Sequence, residues 1–176
     1  MTKLLGISGS LRKASTNTLL IRNAAEIFGA DEFTFADIDL PLYNGDLEEA
    51  AGVPEKVQSL SDQIAAADAV IISTPEYNKA MSGSLKNALD WISRTKGGPW
   101  NGKPVAIMSA AAGRAGGERA QFSLRLAMVA FRPEILQGPE VMLANSNNEF
   151  DADGKLTNER YIKVLTELMD ALKARI

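Results

Sequence analysis

Apolar positions along the chain fall into two alternating patterns, short unbroken runs and longer stretches at helical spacing. The first run is Leu4, Leu5, Gly6 and Ile7, ending at Ser8; a Gly/Ser turn follows, and then Leu20, Ala24, Ile27 and Phe28 recur with the period of a helix. Phe33 and Phe35 alternate with Thr34 and Ala36, which predicts a second strand from Glu32 to Ile38 before the acidic stretch that ends at Pro41. Pro41 to Gly52 shows no period and reads as irregular. Pro54 is placed as the first residue of a helix would be, and Val57, Leu60, Ile64 and Ala67 continue it.

Ala69 to Ile72 is wholly apolar and lies between Asp68 and Thr74-Pro75, which suits a strand buried on both faces. Leu85, Ala88, Leu89 and Ile92 mark another helix. Pro104 to Ser109 reads as a fourth strand, Glu118 to Phe131 as a fourth helix, and Val141 to Leu143 as a fifth strand. Tyr161, Leu165, Leu168, Met169 and Leu172 mark a closing helix. Five strands alternating with five helices over residues 1–176 predict one α/β domain, a doubly wound parallel sheet with helices on both faces. Ligands of such sheets bind at the carboxyl ends of the strands, where the strand order reverses.

Two residue types are missing, and their absence narrows the chemistry. Without Cys there is no disulfide, thiol nucleophile or CxxC pair, and without His there is no triad base and no imidazole ligand, so no metal site is expected. A bound cofactor or a carboxylate must then carry any reaction. The net charge is −3 and is spread without blocks, which argues against nucleic acid as a partner. No apolar stretch approaches the ~18 residues of a membrane span and no secretory leader is visible, so a cytoplasmic location without membrane attachment is expected. Gly97 to Lys103 imitates a phosphate-binding P-loop, but Pro104 replaces its Ser or Thr and the segment runs from helix to strand, the reverse of the required order. Asp151, Asp153 and Gly154 imitate a calcium loop, but Arg160 replaces its last carboxylate; a turn before a helix capped by Thr157 is expected instead.

Three loops at the predicted carboxyl edge carry chemistry. Ser8 to Thr18 reads SGSLRKASTNT, with hydroxyls, an amide, Arg12 and Lys13 at a strand-to-helix junction, where unpaired helix N–H groups favour a phosphate. Gly9 suits a close backbone approach, and Ser15 or Thr16 also suits a simple helix cap. After the third strand come Thr74, Pro75, Glu76, Tyr77 and Asn78, a polar and aromatic wall for a flat ring. The fourth strand leads into small residues from Ser109 to Gly113, where a flat ligand could touch backbone. Together the three loops describe a mononucleotide site.

These residues resemble the NADPH-dependent FMN reductase family, the flavodoxin-like group that includes bacterial chromate and quinone reductases and some azoreductases. The likeness is carried by Gly9-Ser10-Leu11-Arg12-Lys13 with Ser15 and Asn17, by Pro75-Glu76-Tyr77-Asn78, and by Gly83-x-Leu85-Lys86-Asn87-Ala88-Leu89-Asp90-Trp91. It implies FMN as cofactor and NAD(P)H as co-substrate, with electrons passed on to a quinone, azo compound, chromate or free flavin. It implies that Ser10, Arg12, Ser15, Asn17 and Thr18 hold the FMN phosphate. Pro75, Glu76, Tyr77 and Asn78 would line the ring and ribityl chain, and Ser109 and Gly113 would border the ring. No catalytic acid or base is implied. Ala14, Thr16, Ser82 and Ala112 depart from the family's usual residues, as does Lys79 at the pocket lip. The Lys79 charge faces solvent or attracts an anionic acceptor or the NADPH 2′-phosphate.

The fourth helix has two apolar sides, Phe122, Leu126, Val129 and Ala130 on one and Leu124, Met128 and Phe131 on the other. One sheet needs only one of them. The second side, with Trp91, Ile92 and Trp100 near it in sequence, suggests a subunit interface, and the resemblance implies a homodimer or homotetramer. The competing readings are a flavodoxin-type electron carrier without turnover of its own and a flavin-binding regulatory protein.

Overall fold

The computed structural model describes all 176 residues. Its strands are β1 (Lys3–Ser8), β2 (Glu32–Phe35), β3 (Ala69–Thr74), β4 (Pro104–Ala110), β5 (Glu134–Ile135) and β6 (Val141–Leu143). Its helices are α1 (Thr16–Phe28), α2 (Gly45–Ala51), α3 (Glu55–Ala66), α4 (Gly83–Ile92), α5 (Glu118–Met128) and α6 (Glu159–Lys173). Every strand pairing is parallel, and the order is β2-β1-β3-β4, with β5 and β6 both pairing with β4. This is the flavodoxin-like doubly wound sheet, and its strand order reverses between β1 and β3.

Alternation along the strands divides the core into two layers. Leu5, Ile7, Val70, Ile72, Val105 and Ile107 pack on one face against α3, α4 and α5. Leu4, Ile71, Ala106, Met108, Val141 and Leu143 pack on the other against α1 and α6. The layers hold 20 and 19 buried residues, so neither face of the sheet is left without a hydrophobic cover. No helix is long and apolar enough to cross a membrane.

Several boundaries differ from the sequence reading. The expected strand Val141–Leu143 is present as β6, but the same edge also holds β5 at Glu134–Ile135, which the sequence reading lacks, and Leu136 N–H still reaches the Val105 carbonyl before the chain leaves β4 until Val141. Regular pairing of β2 ends at Phe35, although Ala36 N–H still reaches the Gly6 carbonyl. Pro54 is the cap residue before α3 rather than its first turn. The fourth helix ends at Met128 and tightens into a 3-10 turn over Val129–Phe131. Asn158, not Thr157, caps α6 by accepting from Arg160 N–H, while the Thr157 hydroxyl donates to the Glu149 carbonyl. The Asp151 carboxylate accepts from the Asp153 and Lys155 N–H groups and so forms a turn.

The stretch predicted as irregular contains α2. Asn44 starts it by accepting from Asp46 N–H, and the acidic Asp46 and Glu48 suit the positive end of the helix. Glu48 accepts from Arg94 and from the Tyr43 hydroxyl, and these bonds, Arg94 foremost, hold its carboxyl below the ordinary glutamate range. That contribution is complete above the ordinary range and is lost as pH falls through the lowered value. The same connection is strapped to α4. Asn87 accepts from Tyr43 N–H and donates to the Pro41 carbonyl, which also accepts from the Trp91 indole at 2.7 Å. The Lys86-Asn87-Ala88-Leu89-Asp90-Trp91 motif therefore acts in the fold, as the anchor of the chain between β2 and α3.

Asn17, in the first turn of α1, joins the strands that frame the reversal. Its buried Oδ1 accepts from the Ser73 hydroxyl at 2.7 Å and from Ala110 N–H at 3.0 Å, and its Nδ2 donates to the Ala110 carbonyl. Replacing it leaves buried donors and an acceptor without partners. We expect Asn17→Ala to lower unfolding free energy by about 2–3 kcal/mol, measured by urea denaturation at neutral pH.

Candidate functional site

The reversal between β1 and β3 opens a polar cavity of about 270 Å³ at the carboxyl ends of the strands. Its floor is the loop from β1 into α1, its side is the segment Pro75–Tyr77 after β3, and its back is the backbone of Ala110–Ala112 after β4. Of the residues anticipated from sequence, Ser10, Arg12, Ser15, Asn17, Pro75, Glu76 and Tyr77 line this one space. Thr18, Asn78, Ser109 and Gly113 do not. The Thr18 hydroxyl donates to Ser8, and Thr18 borders a neighbouring hollow under Phe35 and Asp37. Asn78 is at the tip of a hairpin, and Gly113 is exposed in the loop after β4. Ser109 is fully buried behind the cavity, where its hydroxyl donates to the Gly116 carbonyl and accepts from Gln121.

Ser15 caps α1 by accepting from Thr18 N–H, which leaves the Thr16 and Asn17 N–H groups without acceptors within the chain. Arg12 is exposed and has no ion-pair partner. Free N–H groups at the positive end of a 13-residue helix, with hydroxyls and an unpaired guanidinium beside them, form an anion cradle. This donor set suits a phosphate monoester. The Asn17 side chain contributes chiefly by fixing the frame, as its bonds to β3 and β4 show.

Gly9 has a different use from the close ligand approach expected of it. Its N–H donates to Ser73, and its carbonyl accepts from the Ser82 and Ser84 hydroxyls at the start of α4. A Cβ here would meet Ser82 Oγ at 3.1 Å and Pro75 Cδ at 3.2 Å. The bare backbone lets β1 end against the β3 loop and helix α4, which ties the floor of the cavity to its side.

Two residues of the site had no counterpart in the sequence reading. Ser146 and Asn147, in the turn after β6, close the far wall. Ser146 N–H donates to the Ala111 carbonyl, and its hydroxyl accepts from Thr16 at 3.1 Å. The polar run Asn145 to Asn148 directly after a buried strand was the available signal.

After Glu76 the chain turns back in a two-residue hairpin, in which Tyr77 and Ala80 exchange both backbone hydrogen bonds at 3.0 Å. Its central residues, Asn78 at φ 50° and Lys79 at φ 70°, have the type I′ geometry. Asn tolerates this conformation, whereas Lys in it is strained by about 1 kcal/mol. The hairpin is anchored on both sides, since Met81 N–H donates to Ser123 and the Glu76 carboxylate accepts from Arg119 and Ala120 N–H at 3.0 and 3.3 Å. Gly117, the residue before α5, has no side chain to cap it, so Glu76 caps the helix from another loop. We expect Glu76→Ala to destabilise the fold by about 1 kcal/mol and Glu76→Gln by roughly half of that, measured by thermal unfolding.

A family model described as NADPH-dependent FMN reductase matches residues 2–148. The chain is 43% identical over 173 residues to an NAD(P)H-dependent FMN reductase of Pseudomonas aeruginosa, covering 97% of this chain and 93% of that one. It is 36% identical over 173 residues to a quinone reductase of Escherichia coli K12, with coverages of 96% and 92%. Among solved structures it superimposes on FerB, a flavoenzyme NAD(P)H:(acceptor) oxidoreductase from Paracoccus denitrificans. The TM-score is 0.86 at 35% identity, and 98% of this chain and 95% of that one are covered. Fold, cavity and sequence agree: the chain belongs to the NADPH-dependent FMN reductase family, an oxidoreductase family.

Proposed function

We propose that the cavity between β1 and β3 binds FMN and that the protein is an FMN-dependent NAD(P)H oxidoreductase acting on a small-molecule acceptor of the quinone class. The observation that carries this reading is the anion cradle beside a flat backbone wall, formed by Arg12 and the free α1 N–H groups next to Ala110–Ala112. In it Ser10, Arg12, Ser15 and the α1 N-terminus hold the phosphate, and Asn17 and Thr18 support that loop. Pro75, Glu76, Tyr77 and Asn78 form the ring side, and Ser109 and Gly113 shape the loop that borders it. Held there, FMN would supply the redox chemistry that links a hydride donor of the NAD(P)H kind to a two-electron acceptor.

The protein's part is positioning. The Gly9 carbonyl held by Ser82 and Ser84, and the Glu76 cap on α5, fix the cavity walls relative to one another before any ligand arrives. No lining side chain is a His or Cys, and the Glu76 carboxylate is engaged with α5. The reading therefore assigns no lining side chain the role of a catalytic acid or base. Reductant and acceptor then use one open face in turn. Azo compounds, chromate and free flavin are further acceptors compatible with an open cavity. A cytoplasmic location, where reduced nicotinamide nucleotide is available, is part of the same reading.

The test is reconstitution with FMN followed by steady-state kinetics. We expect a yellow complex and parallel double-reciprocal lines when NADPH and quinone are varied together. Arg12→Ala should weaken FMN binding by roughly ten- to hundredfold, as expected for loss of a charge-assisted phosphate contact. Intersecting lines would refute alternate use of one face, and unchanged FMN affinity would refute the cradle.

A homodimer belongs to the proposal, on a surface different from the one anticipated. Trp91, Ile92 and Trp100 are buried within the single chain, as are Leu124 and Met128, so the second side of the helix covers the sheet. The exposed side is Phe122, Leu126 and Val129, at 51%, 76% and 69% of full exposure. Large apolar groups clustered at such exposure favour a partner surface. Leu126→Asp should convert a dimer of the 18.9 kDa chain to monomer in light scattering without loss of secondary structure.

A further inference from the structure

We propose that Lys79 is a specificity-determining residue that engages a phosphate of the incoming nicotinamide nucleotide; this rests on the reading above that FMN fills the cavity with Tyr77 on its ring side and that the reductant uses the open face. Three observations carry it. Lys79 stands at the second central position of a type I′ turn, where Gly is the usual residue, and takes up φ 70° directly after Asn78 at φ 50°. Nothing within the chain compensates for that conformation, since Lys79 is exposed and makes neither an ion pair nor a side-chain hydrogen bond. The hairpin that holds this strained residue is anchored on both sides and carries the cavity-lining Tyr77 two residues before it, which places a functional explanation of the strain within reach of the cavity.

The charge around the cavity mouth supplies the chemistry. The loops 9–15, 75–82 and 111–119 carry Arg12, Lys13, Lys79, Arg114 and Arg119 against Glu76 and Glu118, while Asp37 and Asp39 border the Arg12 loop and Glu149 follows the Ser146–Asn147 wall. All six ion pairs lie outside these loops, and Glu76 is already engaged by α5. On the hairpin side of the mouth Glu76 is engaged and the Lys79 cation is not, and an unengaged cation there attracts anions. Arg12 and the α1 N-terminus are assigned to the cofactor phosphate, which leaves Lys79 as the free cation on the Tyr77 hairpin. A nicotinamide dinucleotide brings two kinds of phosphate to it, a pyrophosphate in both reduced forms and a 2′-phosphate in NADPH alone.

Lys79→Gly is the informative variant, because Asn-Gly is the preferred type I′ pair and the hairpin is kept while the charge is lost. The measurement is calorimetric binding of NADP⁺ and NAD⁺ to the FMN-loaded protein, for the original chain, Lys79→Gly and Lys79→Arg. Reduction by 1-benzyl-1,4-dihydronicotinamide, a hydride donor without phosphate, is followed in parallel. We expect Lys79→Gly to melt no lower than the original, to bind NADP⁺ roughly three- to tenfold more weakly, and to react unchanged with the phosphate-free donor. Lys79→Arg should restore binding, and salt at about 1 M should abolish the difference. NAD⁺ binding left unchanged assigns the contact to the 2′-phosphate, and an equal loss assigns it to the pyrophosphate. The proposal is overturned if NADP⁺ affinity is unaltered, or if the phosphate-free donor slows by the same factor. Failure of the original chain to take up FMN overturns the cavity reading together with this one.

Discussion

The meeting of α1, β3 and β4 at Asn17 is the constraint on which the site depends. Parallel strands align their carboxyl ends only as closely as their connections allow, and here one carboxamide bonds the penultimate residue of β3 and the last residue of β4 to the first turn of a helix. The helix start is thereby held over the strand ends, so its free N–H groups face a fixed place. Gly9 extends the frame from β1 to β3 and α4 through its N–H and carbonyl. The cavity is built from loops, but loops whose polar side chains are bonded to the sheet and to one another. Such preorganisation reduces the conformational entropy lost when a ligand binds.

Hydrophobic period made the sheet and its two covering layers legible, because strands buried on both faces must be apolar throughout and their helices must carry one apolar stripe. Ala69 to Ile72 is the clearest case. Elements that depend on tertiary partners were not legible. Helix α2 has no buried residue, and its stability comes from Asn44, Glu48 and the distant Arg94. The two-residue β5 leaves no trace in local periodicity because so short a strand shows no period, whereas Val141 to Leu143 was legible as a short apolar run.

The cavity was legible to a similar depth. Polar residues following buried strands marked its three loops, and seven of the eleven anticipated residues line one space. What spacing could not show is the division between lining and support. Ser109 and Asn17 look like donors in sequence, yet the hydroxyl of Ser109 is fully engaged behind the cavity and the amide of Asn17 secures the frame. Glu76 similarly reads as a pocket carboxylate, while its geometry makes it the start of α5. In each case a long-range hydrogen bond decides the role, and sequence neighbours carry no record of it.

The brevity of the sheet's outer strands bears on how the molecule avoids association. One border is the four-residue β2, and the other is shared between pieces of two and three residues. Neither border presents an uninterrupted ladder of free backbone groups long enough to template the addition of a foreign strand. A chain whose inner strands are among its most β-prone and apolar segments thus keeps them in the middle and ends in stubs, which guards the folded state against fibrillar growth.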